Sequence, residues 1–138
     1  MTGIETRDRV VEICLGLVGT SSINHPKVGE DHRVGCSPET GFDCSGLIIF
    51  VLSQVGISLP TTLRHTSEIF DQFGIFAHSG RDGDLVFFSS KKGLVPKHVG
   101  IMINERKYVH SPGKNGSSVK LAELKVTRII SNDPPCVI

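Results

Sequence analysis

The sequence has no tryptophan, only one tyrosine, and no cysteines spaced as a CxxC pair. Its charges almost cancel, because 15 lysines and arginines face 14 aspartates and glutamates and leave a formal net charge of +1. This balance provides no general attraction to nucleic acid or to an anionic membrane, so we expect neither as a partner. No apolar run approaches the roughly 20 residues of a membrane-spanning helix, so no membrane span is predicted.

The first residues, Met1 to Arg9, are polar and charged and lack the apolar stretch of a signal peptide. Export would therefore need another route or a longer precursor. The length of 138 residues fits one domain over residues 1–138, and the 38% hydrophobic content suffices for a packed core. Composition does not indicate an oligomeric state.

The first half of the chain has helical periodicity. We predict a helix over residues 6–18, capped by Thr6 and stopped by Gly19, and then a long loop over residues 20–42. The apolar run at 47–52 fits a buried strand or a buried helix equally well. A further helix is predicted from Leu63 to Phe73, ending before Gly74.

The second half of the chain alternates with a period of two. Strands are predicted over residues 84–88, 98–104, 108–110 and 126–130. Helices followed by strands with hairpin-length links predict the α+β class with an antiparallel sheet.

Cys44 is the first candidate for chemistry. If the apolar run that follows is a helix, Cys44 lies at its N-terminus, where unpaired N–H groups and the helix dipole favour a thiolate. We therefore expect a lowered pKa for this thiol and a nucleophilic role. The alternative is that Cys44 is a small buried residue that fills space.

His98 and His110 are the second candidate feature. His98 begins one predicted strand, His110 ends the next, and a polar turn at 104–107 joins them. A hairpin centred there would bring the two rings onto one face, about 5 Å apart if the residues are directly opposed. His98 could then act as a base that His110 orients. Two exposed edge histidines without a role remain the alternative.

Five segments resemble those of one family in order and spacing. They read GFDCSGL at 41–47, ISLPT at 57–61, GDLVFF at 83–88, HVGI at 98–101 and YVHS at 108–111. On these residues the chain resembles the NlpC/P60 family of cysteine peptidases from about Thr6 to Ile130. The resemblance implies a reduced papain-like fold, in which a catalytic helix packs on an antiparallel β-sheet, and it makes 47–52 part of that helix.

The resemblance also implies an activity. It indicates a Cys-His-His triad of Cys44, His98 and His110, and hydrolysis of peptidoglycan stem peptides between γ-D-glutamate and the diamino acid. It implies neither a metal nor an organic cofactor, and it places the action at the cell wall. One departure concerns the family's active-site tyrosine, which His32 replaces here, while Cys36 replaces a glycine.

Three further residues lie near the motif, and two of them have two interpretations each. Asp43 either caps the catalytic helix or binds a cationic group of the substrate. Ser45 contacts the substrate or contributes only its backbone N–H. Arg64 is expected to be a solvated charge.

Competing functions stay open at this stage. His25, His32, Cys36 and Cys44 lie within a short stretch and offer zinc-ligand types, although their spacing matches no recognised zinc motif. A catalytically inactive binding domain is a second alternative. A related papain-like amidase or deamidating toxin with another substrate is the third.

Overall fold

The computed structural model describes residues 3–27, 29–60, 63–73, 75–76, 81–89, 96–124 and 136–137. The helices in these ranges are α1 (Gly3–Leu17), α2 (Cys44–Gln54) and α3 (Thr66–Phe73). The strands there are β1 (Ser21–Ser22), β2 (Cys36–Ser37), β3 (Gly41–Phe42), β4 (Ile75–Phe76), β5 (Leu85–Ser89), β6 (Pro96–Met102), β7 (Lys107–His110), β8 (Ser117–Ser118), β9 (Lys120–Glu123) and β10 (Cys136–Val137).

The first helix extends further toward the N-terminus than the pattern predicted. It begins at Gly3, so Thr6 lies inside the helix and the prediction that Thr6 caps it is wrong. Gly19 follows the helix with φ +95°, a left-handed conformation that favours glycine, and its N–H donates to the carbonyl of Val119 at 2.9 Å. The end of α1 was therefore predicted well.

The ambiguous apolar run at 47–52 belongs to helix α2. Leu47, Ile48 and Val51 are fully buried, and the helix is apolar on nearly all sides because it lies between α1 and the sheet. Apolar residues on nearly all sides of the helix remove the helical period that would otherwise have identified it. The third helix starts at Thr66, so Leu63, which we had placed in it, precedes the helix.

The main sheet is antiparallel, with strand order β5-β6-β7-β9. Its residues alternate in their packing: Val99 and Ile101 join the core that contains α2, and Met102 joins a second apolar cluster with Tyr108. The predicted α+β class with a helix on an antiparallel sheet is confirmed. The strand predicted at 126–130 lies outside the described residues, as do Thr61 and Gly74.

Residues 20–42, predicted to be a loop, contain three very short strands. β1, β2 and β3 form a small sheet with β8, in the order β2-β3-β1-β8, and Ser22 pairs with Phe42 in parallel. Strands of two residues have no detectable period, so the sequence did not indicate them. They determine where the chain enters α2. In the described part of the chain, no helix is long and apolar enough to cross a bilayer.

Candidate active site

Close packing of the backbone around the start of α2 explains why glycines occur at positions 41 and 46. A Cβ on Gly41, which has φ +87°, would lie 2.8 Å from the side chain of Ile23. A Cβ on Gly46 would lie 1.8 Å from the carbonyl oxygen of Gly35, which no side chain can tolerate. Asp43 is the N-cap, and its carboxylate accepts a hydrogen bond from the Gly46 N–H at 2.6 Å. These contacts place Cys44 at the first position of the helix.

The Cys44 sulfur is partly buried and surrounded by weak donors. Its nearest polar partner is Thr66 Oγ1 at 3.5 Å, and the backbone N–H groups of Cys44 and Ser45 also point to it. Burial raises the pKa of the Cys44 thiol above its ordinary value, and the Asp43 carboxylate adds to this, while the hydrogen bonds oppose it. The pKa of Cys44 is therefore shifted in the direction opposite to the one we expected, because desolvation outweighs the hydrogen bonds that favour the thiolate.

The two candidate histidines touch each other. His98 Nε2 lies 2.7 Å from His110 Nδ1, and the rings are nearly perpendicular at 84°. Burial, with a smaller contribution from His110, lowers the pKa of His98 to about 4. Burial and the charge of Lys120 lower the pKa of His110. Both rings are therefore neutral near pH 7, so one nitrogen donates and the other accepts.

His98 and His110 are in contact although they are not directly opposite each other in the sheet. Ile101 faces Val109 and Met102 faces Tyr108, so the same register places Gly100, rather than His98, opposite His110. A Cβ on Gly100 would lie 2.7 Å from the Tyr108 ring and 3.3 Å from the His110 Cβ. The missing side chain leaves room for the His110 ring to reach His98, which lies two residues further along the same strand as Gly100.

Hydrogen bonds link the histidine strand to the segment before Cys44. The buried Ser111 hydroxyl, next to His110, donates to the Phe42 carbonyl at 2.6 Å and contacts Ser22 Oγ at 2.8 Å. Within the described ranges Cys44 and His98 share no direct hydrogen bond, and the side-chain partner of the sulfur is Thr66. Ser111 thus connects the histidine strand to the segment before Cys44. The structure shows Cys44 and His98 before they form a hydrogen bond with each other.

Arg64 is buried beneath the helix N-terminus, which contradicts the expectation of a solvated charge. Only 8% of it is exposed, and it binds Asp43 Oδ2 at 2.6 Å and Asp43 Oδ1 at 3.1 Å. It also donates to Ser45 Oγ at 2.8 Å. Asp43 and Ser45 are themselves fully buried. Substrate contact by these two side chains stays a prediction, and their burial counts against it.

His32, the residue at the family's tyrosine position, is exposed, and its carbonyl accepts from Arg64 Nε at 2.7 Å. Its ring lies beside those of His25 and His65. Whether it contacts the substrate stays a prediction. The Cys36 thiol donates to the His32 carbonyl at 3.7 Å, and Cys14, Cys36 and Cys44 are free thiols.

Sequence reasoning missed four residues that shape the site: Arg64, Thr66, Gly100 and Ser111. Each acts through contacts between segments distant in the chain, although Gly100 and Ser111 lie in the HVGI and YVHS segments that resemble the family. The signal for Arg64 was its place as a single arginine four residues after Pro60, just after the ISLPT segment at 57–61.

Comparison with known proteins gives a consistent result. The sequence profile of the NlpC/P60 family matches residues 29–130. The murein DD-endopeptidase MepH of Escherichia coli is 33% identical over 71% of this chain and 36% of its own length. The bifunctional muramidase/DL-endopeptidase CwlT of Bacillus subtilis is 36% identical over 66% of this chain and 26% of its own length.

A solved structure agrees over nearly the whole chain. The NlpC/P60 domain of the peptidoglycan hydrolase SagA has a TM-score of 0.65 and 26% identity, and the match covers 96% of this chain and 97% of that domain. The chain spans only about a quarter to a third of the length of the two curated relatives.

Proposed function

Because the chain belongs to the NlpC/P60 family, we propose that it is a cysteine peptidase that cleaves peptidoglycan stem peptides between γ-D-glutamate and the diamino acid. In this proposal residues 1–138 act as one catalytic domain. The observation that carries it is a cysteine at the first position of a buried helix, with a pair of bonded histidines on the neighbouring strands.

The tautomers of the two histidines assign their roles. If His98 donates its Nε2–H to His110 Nδ1, the free lone pair of His98 is on Nδ1, which can take the Cys44 proton. The protonated His98 keeps its bond to His110, so His110 orients the ring and stabilises its charge. A base that starts neutral suits a nucleophile that starts as a thiol.

The reaction then proceeds through an acyl-enzyme. The Cys44 sulfur attacks the γ-carbonyl carbon of D-glutamate while its proton passes to His98. The N–H groups of Cys44 and Ser45, which are close to the sulfur, are the proposed donors to the oxyanion. Collapse breaks the C–N bond, His98 protonates the departing amine, and water hydrolyses the thioester with His98 as base.

The names of the relatives support the substrate class but divide on the bond. CwlT is named a DL-endopeptidase, and another Bacillus subtilis relative, 33% identical over 59% of this chain, is named gamma-DL-glutamyl hydrolase. MepH is named a DD-endopeptidase. We choose the γ-D-glutamyl bond because the family resemblance of the motifs points there.

Mass spectrometry of purified muropeptides incubated with the protein tests this proposal. Cleavage should release a fragment that begins with the diamino acid, and Cys44→Ala should abolish it. Loss of crosslinked dimers without this fragment would indicate DD-endopeptidase activity instead. Cleavage between the sugar lactyl group and L-alanine would make the protein an amidase. No change in any muropeptide, with Cys44 demonstrably alkylated by iodoacetamide, would favour a papain-like enzyme with another substrate.

A further inference from the structure

Three histidines that the proposed mechanism does not use come together near the N-terminus of α2. One ligand nitrogen from each of His25, His32 and His65 lies within 4.8 Å of the other two. They come from three separate segments, and the rings of His25 and His65 are only 4.6 Å apart between centroids. We propose that these three side chains form a binding site for a divalent transition-metal ion of the zinc class.

His25 is oriented as a metal ligand would be. Its Nδ1 lies 3.0 Å from Asp43 Oδ2, so Nδ1–H donates to the carboxylate and the Nε2 lone pair is left available. That Nε2 atom is buried and has no hydrogen-bond partner. Buried polar atoms are rarely left unsatisfied, and a bound cation would satisfy this one. A carboxylate behind a ligating imidazole is the usual support of a protein metal site.

The other two histidines have fixed backbones and accessible rings. Arg64 donates to the carbonyl of His32 at 2.7 Å. His65 precedes α3, where its N–H donates to Glu68 Oε1 at 3.0 Å and its carbonyl accepts from Ile69 at 3.1 Å. Both side chains are exposed. An ion can therefore reach them from solvent, while the ends of their side chains stay close to His25.

The donor set favours zinc-like ions. Imidazole nitrogens suit zinc, copper and nickel, whereas calcium and magnesium prefer oxygen ligands. Three nitrogens on one tetrahedral zinc ion would lie about 3.3 Å apart, given zinc–nitrogen distances of about 2.0–2.1 Å. The rings must therefore close inward, which the exposed His32 and His65 can do by rotation. The charge of nearby Arg64 is offset by its ion pair with Asp43.

This site differs from the zinc alternative considered for the sequence, and it revises the expectation of no metal. That alternative joined His25 and His32 to Cys36 and Cys44. The fold supplies His65 as the third ligand instead. Arg64, the residue before His65, pairs with the Asp43 carboxylate and donates to the carbonyl of His32, so it holds both segments close to His25. The proposed site is independent of the peptidase reaction, so binding is measured without reference to activity.

The test must separate this cluster from Cys44 and the His98–His110 pair, which could also hold zinc. Zinc is titrated into the Cys44→Ala protein, residues 1–138, in competition with a chromogenic chelator. We expect one ion per chain, unchanged affinity with an added His98→Asn, and affinity lower by at least roughly 100-fold with an added His32→Asn or His65→Asn. Because His32 and His65 are exposed, these variants should keep the parent's thermal unfolding midpoint without metal.

Cobalt provides the second readout. Co²⁺ bound by three imidazoles should give tetrahedral d–d absorption bands without a sulfur-to-cobalt charge-transfer band, in the parent but not in the His65→Asn variant. A charge-transfer band would bring Cys36 into the site and overturn the three-histidine assignment. Zinc binding that survives His32→Asn and His65→Asn, or that disappears with His98→Asn, would overturn the site altogether.

Discussion

Arg64 binds both carboxylate oxygens of Asp43, at 2.6 and 3.1 Å. Asp43 directly precedes Cys44, the first residue of helix α2. The same carboxylate caps that helix and accepts from His25. One buried ion pair thus supports the helix N-terminus and connects it to the segments of His25, His32 and His65.

Removing Arg64 should destabilise the protein. Arg64→Met leaves the Asp43 carboxylate buried without its main partner, and loss of one member of a buried pair typically costs about 3–5 kcal/mol. The free energy of unfolding from chemical denaturation measures this. Arg33→Ala is the matched control, because Arg33 pairs with Asp31 at the surface. Equal effects of the two substitutions would show that the Arg64 pair does not support the fold.

Adding a methyl group at position 100 should disturb the histidine pair. The new Cβ of Gly100→Ala would meet the Tyr108 ring at 2.7 Å and crowd the His110 Cβ at 3.3 Å. Displacement of His110 by about an ångström should lower kcat on the order of 100-fold. Gly16→Ala, where a Cβ meets nothing within 4 Å, should leave kcat unchanged. Full activity of a folded Gly100→Ala protein would show that the His110 ring does not need the space left by the missing side chain of Gly100.

Substitutions at the two histidines should differ in severity. His98→Ala removes the proposed base and should lower kcat by roughly 10²–10⁴-fold. His110→Asn should retain more activity than His110→Ala, because the amide oxygen can still accept from His98 Nε2. Steady-state kinetics on a muropeptide measure both. Full activity of His110→Ala would remove His110 from the mechanism.

The pH dependence of Cys44 reactivity should be that of a neutral thiol beside a neutral imidazole, not that of a thiolate–imidazolium pair. Because burial raises the pKa of Cys44 and lowers that of His98 to about 4, the thiolate fraction is small at mildly acidic pH. Iodoacetamide should therefore label Cys44 slowly there and faster as the pH rises through the alkaline range, followed by peptide mass spectrometry. The activity that depends on neutral His98 should be lost only as the pH falls toward about 4. Rapid, pH-independent labelling of Cys44 in mild acid would reveal a thiolate–imidazolium pair instead.

The class of fold and the family could be predicted because they depend on local patterns. Alternation in residues 98–104, the polar turn at 104–107 and the GFDCSGL segment are all contiguous in the chain. They indicated the hairpin and the start of α2, and Asn104 indeed accepts from the N–H groups of Arg106 and Lys107 within that turn. Even the contact of His98 with His110 followed from strand geometry, although His110 lies opposite Gly100, two residues from His98.

What the sequence by itself determined is thus the order of helices and strands and the position of Cys44 at a helix N-terminus. Only the tertiary structure decided the environment of that residue. The raised pKa of Cys44, the burial of Arg64 and the meeting of His25, His32 and His65 all depend on how distant segments exclude water from one another. Desolvation is a property of the packed volume around a group, and no contiguous stretch of sequence encodes that volume.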